Sequence, residues 1–96
     1  MRMSDELSRF KEHFEKNTNI KVHDVYEHYS CYHWKRLLFH ELNCEQLEII
    51  GQYIKKTFYT PGKYSHLSPK IQTWGNDISI TIDVNIINQF IPKIRL

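Results

Sequence analysis

Ile71-Gln72-Thr73-Trp74-Gly75-Asn76-Asp77-Ile78-Ser79-Ile80-Thr81-Ile82-Asp83-Val84 decides the fold class of this chain. Ile78, Ile80, Ile82 and Val84 alternate with Ser79, Thr81 and Asp83. A period of two is the mark of a β-strand with one wet face. Gly75-Asn76 just before it is a two-residue hairpin signal, so residues 71–74 are expected as the antiparallel partner strand. After this hairpin two readings stay open. Asp83 can cap a short helix over residues 84–91, or residues 90–96 can form a third strand, held to an edge by Pro92.

Upstream of the hairpin the pattern reads as helical. Ser4 is a cap, with Asp5 and Glu6 in the first turn, and Leu7, Phe10 and Phe14 share one face. Asn17-Thr18-Asn19 ends that helix, and Ile20 and Val22 anchor an extended link. Asp24 and Glu27 have capping-box spacing, which predicts a helix from Val25. Ser30 caps a further piece, with Cys31, Trp34, Leu38 and Leu42 on one face. Asn43 and Gln46 start another helix, whose buried stripe is Leu47, Ile50, Ile54 and Phe58. Gly51 weakens that helix by roughly 1 kcal/mol relative to Ala and suggests close approach of another element. Thr60-Pro61-Gly62-Lys63 reads as a type II turn. The expected fold is α+β: an N-terminal cluster of three or four helices, then a small antiparallel hairpin or three-stranded sheet. Ninety-six residues with no linker or repeat read as one domain, 1–96.

Charge is unevenly spread. Residues 49–76 contain no Asp or Glu but hold Lys55, Lys56, Lys63, Lys70 and His66 with Tyr53, Phe58, Tyr59, Tyr64 and Trp74. Residues 1–48 carry nine acids against seven bases. A basic, aromatic middle points to an anionic partner. Lysines neutralise phosphates, and aromatic faces stack bases. Lys55, Lys56, Lys63 and Lys70 are the expected phosphate contacts, and Tyr59, Tyr64 and Trp74 the stacking faces. The competing reading is a solvated basic surface without a partner.

Four histidines (His23, His28, His33, His40) lie near Cys31 and Cys44. Steps of five, five and seven do not converge on one helix face, so no metal site and no cofactor are expected. His40-Glu41-Leu42-Asn43-Cys44 has Cys where a zincin signature has its second His, and Asn43 caps a helix between the would-be ligands. With three glycines in all, no phosphate-cradling loop can be built. No nucleophile motif is present either, so the chain is expected to bind rather than catalyse.

The expected function is a nucleic-acid-binding accessory or regulatory protein. The alternative is an inhibitor or adaptor acting on a host protein, with Tyr26, Tyr29, Tyr32 and Trp34 as its hot spot. Alanine is absent while Ile occurs twelve times and Asn six. That is the codon bias of an AT-rich genome, such as that of a phage or mobile element. The first residues lack a signal peptide's apolar stretch, and no run reaches the ~20 residues that span a bilayer. A cytoplasmic protein with reduced cysteines and no membrane partner is expected. So small a core also makes a homodimer plausible.

Overall fold

The computed structural model describes residues 4–27, 34–58, 69–75 and 77–91. Ser4 begins the first helix: its hydroxyl accepts from the Leu7 amide at 3.2 Å. Helix α1 then runs Asp5–Thr18 and ends at Asn19, whose left-handed φ of 61° terminates it. Leu7, Phe10 and Phe14 are fully buried on its inner face. Ile20 and Val22 are buried in the link that follows.

The next elements correct the sequence reading. Residues 24–42 do not form helices. Strand β1 (Asp24–Glu27) and strand β2 (Trp34–His40) form an antiparallel hairpin, pairing Asp24 with Leu38 and Glu27 with Lys35. The supposed capping box serves other bonds. Asp24 accepts from the adjacent Val25 amide, while Glu27 accepts from both the amide and the hydroxyl of Ser4. Cys31 lies outside the described residues. Trp34 and Leu38 sit on one face of a strand rather than of a helix. Within β2, Lys35, Leu37 and Phe39 are buried while Trp34 and His40 are exposed. The adjacent apolar pair Leu37-Leu38 hides this alternation in the bare sequence.

Asn43 and Gln46 form the expected reciprocal cap, with bonds of 2.9 and 2.8 Å, and helix α2 (Cys44–Phe58) follows. Ile50 and Phe58 are buried as expected, but Leu47 is exposed and Tyr53 takes its place in the core. Gly51 does not admit a neighbour: a Cβ there would meet nothing within 4 Å.

Strand β3 (Lys70–Trp74) pairs with strand β4 (Asp77–Asp83) through the expected two-residue turn. Gly75 takes a φ of +61° there, a conformation that suits glycine. Strand β4 also pairs along its length with β2, giving sheet order β1-β2-β4-β3. The expected wet face of β4 is therefore largely closed: Ser79, Thr81 and Asp83 are buried. Asp83 then accepts from the Asn85 amide at 2.8 Å and caps helix α3 (Val84–Phe90). Of the two readings of the tail, the helix is the one formed. Residues 92–96 of the alternative edge strand lie outside the described residues.

The fold is α+β. Among the described residues it has three helices and a four-stranded antiparallel sheet. The two kinds of element are interleaved along the chain rather than separated into helices first and hairpin second. The helices cover one sheet face. Phe14 packs on Phe39 with ring centroids 5.1 Å apart, and Leu37, Ile80 and Ile82 complete the core with Ile86 and Ile87 of α3. Among the described residues the other face carries no helix.

Candidate nucleic-acid interface

Strand registers set the composition of the open face. Leu37 and Ile80 pair on the helix side, so their neighbours Arg36 and Thr81, and Leu38 and Ser79, pair on the opposite side. On β1 the same alternation brings Tyr26 opposite Arg36. On β3 it brings Lys70 opposite Thr81 and Gln72 opposite Ser79. The open face thus runs from Tyr26 through Trp34 and Arg36 to Lys70, over a floor of Ser79 and Thr81.

Two cation–aromatic pairs organise it. The Lys70 ammonium lies 5.7 Å from the Trp34 ring centroid, and the Arg36 guanidinium 5.6 Å from that of Tyr26. Both distances fall within the range of attraction by the ring quadrupole. Trp34 is 38% and Tyr26 44% exposed. Arg36 Nε donates to Thr81 Oγ1 at 3.0 Å, which orients the guanidinium.

The acids of this face are engaged. Asp83 caps α3, Asp77 bonds His40, and Asp24 accepts from the Val25 amide. Their charges nonetheless offset those of Arg36 and Lys70. Among the described residues the face is an aromatic platform with two cations, Arg36 and Lys70.

The residues singled out in the sequence are divided by the fold. Lys70 and Trp74 belong to β3, and Lys70 lies on the open side. Lys55 and Lys56 are exposed in the last turn of α2, in the helix layer behind the sheet. Tyr59, Lys63, Tyr64 and His66 lie outside the described residues, as does the side chain of Trp74. Sequence reasoning missed Arg36 and Ser79. It took Tyr26 and Trp34 for a protein-binding hot spot on a helix. The Trp-Lys-Arg-Leu-Leu-Phe-His run, read with period two, would have put Trp34 and Arg36 on one face.

Three other features merit chemical scrutiny. The His23 and His40 rings meet at a tilt of 49° with centroids 3.6 Å apart, at a concavity of about 510 Å³. His28, His33 and Cys31 lie outside the described residues. Among the described residues no group of three His, Cys, Asp or Glu converges as a metal site. A groove of about 590 Å³ between α1 and α2 holds His13 and Tyr53, with Nδ1 and the phenolic oxygen 2.8 Å apart. Burial, and then Lys16, hold His13 below its ordinary range, and burial pushes the Tyr53 phenol up. The His13–Tyr53 hydrogen bond, its direction set by the imidazole tautomer, closes the core edge. Finally, Lys35 is buried on the helix side, its ammonium 3.1 Å from Glu27. Burial alone would raise the Glu27 carboxyl, but the bonds from Ser4 and Lys35 outweigh it and hold it low. All three are accounted for by packing.

No helix among the described residues is long and apolar enough to cross a membrane. Comparison with protein-family models, curated proteins and solved structures gave no match.

Proposed function

We propose that this chain is a non-catalytic nucleic-acid-binding accessory protein that holds single strands on its open sheet face. Bases stack on Trp34 and Tyr26, while Arg36 and Lys70 meet the backbone phosphates. One observation carries the reading: the two exposed aromatics among the described residues, Tyr26 and Trp34, are each paired with a cation on the same sheet face. Sheets that display aromatics in this way bind unpaired bases, because every base offers a π-face. A duplex offers no such faces, so single strands are the fitting form. The AT-rich coding bias agrees with a phage or mobile-element protein.

Lys55 and Lys56 belong to a different surface and are not needed for this mode. An inhibitor acting on a host protein remains the rival. Its hot spot would be apolar and remote from cations, whereas Tyr26 and Trp34 are each under one.

The test is fluorescence anisotropy of labelled single-stranded DNA, RNA and duplex DNA across a salt series. Single strands are expected to bind, with a shallow salt slope of about −1.4 for two phosphate contacts at ~0.7 each. A steep slope with preference for duplex would move the site to a different, more basic surface. Absence of binding at low salt would retire the proposal and favour a protein partner.

A further inference from the structure

Beneath Arg36 and Leu38 the open face dips into a concavity of about 180 Å³, lined also by Asp77, Ile78 and Ser79. Its floor is unusual. Ser79 is 2% exposed, and its hydroxyl has no hydrogen-bond partner among the described residues. A buried polar atom without a partner costs about 1–3 kcal/mol, so such atoms ask for an explanation. A ligand group that completes the bond is one. The walls are polar and complementary in kind. The Asp77 carboxylate can only accept; His40 holds one of its oxygens and orients it, leaving lone pairs toward solvent. Arg36 uses Nε on Thr81, and its terminal NH groups have no hydrogen-bond partner among the described residues. One acceptor-only group and two donors, Arg36 and Ser79, therefore line one concavity of about 180 Å³.

Resting on the single-strand reading above, we infer that this concavity is a guanine-selective base pocket. Guanine is the base that presents adjacent donors, N1–H and N2–H, on one edge and two acceptors, O6 and N7, on the next. The donors match the Asp77 carboxylate. When guanine is seated, Arg36 gives its terminal NH groups to O6 and N7 and leaves the backbone phosphate to Lys70, and the Ser79 hydroxyl supplies a further donor to O6. Adenine and cytosine put an acceptor where guanine has N1–H, and that acceptor would face the carboxylate. Trp34 and Tyr26 then hold the flanking bases without discrimination, and the pocket supplies the preference.

The experiment uses the full chain and oligothymidine heptamers with a central guanine, hypoxanthine, adenine or cytosine, followed by anisotropy. Guanine is expected to bind about tenfold tighter than adenine or cytosine, with hypoxanthine between because it lacks the 2-amino group. Asp77→Asn should abolish the preference while oligothymidine binding is kept or tightened, since the substitution removes a negative charge from the face. Ser79→Ala should reduce the preference while the melting temperature holds or rises, which a purely structural serine would not produce. Equal affinity for all four oligomers, or preference for adenine or cytosine, overturns the pocket while leaving the stacking platform intact. Failure of every oligomer to bind overturns both.

Discussion

The Lys70 ammonium stands 5.7 Å from the centre of the Trp34 ring, although Lys70 lies on β3, Trp34 on β2, and strand β4 runs between them. The pair spans the open face diagonally and holds the indole beside a cation. Trp34→Ala is expected to weaken single-strand binding by about 1–3 kcal/mol, the worth of one stacked base. Lys70→Ala should weaken it less and flatten the salt slope by about 0.7. Anisotropy of the two variants across a salt series distinguishes stacking from charge.

Charge reversal in the helix layer provides the opposite control. Lys55→Glu with Lys56→Glu changes two exposed residues at the end of α2, away from the open face. Single-strand affinity is expected to stay within about twofold of the parent. Loss of binding in a variant with an unchanged circular dichroism spectrum would assign the site to α2.

The buried Lys35–Glu27 pair fastens β2 to β1, and Glu27 in turn holds Ser4 at the start of α1. Lys35→Ala leaves a carboxylate with half its partners and should cost about 3 kcal/mol. Replacing both members by apolar residues, Lys35→Met with Glu27→Met, should recover part of that loss, since apolar substitutes for a buried pair are often neutral. Urea denaturation of the three proteins measures both effects. Equal stability of the single variant and the parent would show that the pair is not structural.

Gly51 is exposed in the interior of α2, and a Cβ there meets nothing within 4 Å. Gly51→Ala is expected to stabilise the protein by about 1 kcal/mol, through helix propensity and a less flexible unfolded chain. A fall in melting temperature would mean that something does approach this face.

Acid should destabilise the fold in two windows. His13 is held below its ordinary value of 6.5, so the unfolded chain takes up its proton first; its contribution is present above that pH and lost as pH falls below it. Glu27 is also held low, and its contribution is present above about 4.5 and lost on further acidification. His13→Gln keeps a hydrogen-bonding side chain for Tyr53 and should remove the first window alone. Melting temperatures of parent and variant between pH 7 and pH 4 check this. Superimposable profiles down to pH 5 would show that His13 is not the titrating group.

Local chemistry was enough to set the ends of the chain's elements. Ser4, the Asn43–Gln46 cap, the Gly75 turn and the Asp83 cap all act within a few residues, so short-range bonds specify them. The stripe of Leu7, Phe10 and Phe14 and the alternation of Ile78, Ile80 and Ile82 likewise set their own periods. Residues 24–42 were decided elsewhere. Trp34–His40 becomes a strand because β4 offers it a full ladder and the core accepts Leu37 and Phe39, a long-range gain that no window of its own sequence contains. The open face follows from that pairing. Tyr26, Arg36, Ser79 and Lys70 come from four strands, and only their register makes them neighbours. Outside residues 24–42 the sequence by itself determined which segments start, turn and stop; the sheet's long-range pairing decided the rest and which side chains share a surface, because hydrogen bonds between distant strands, and not residue type, set that order.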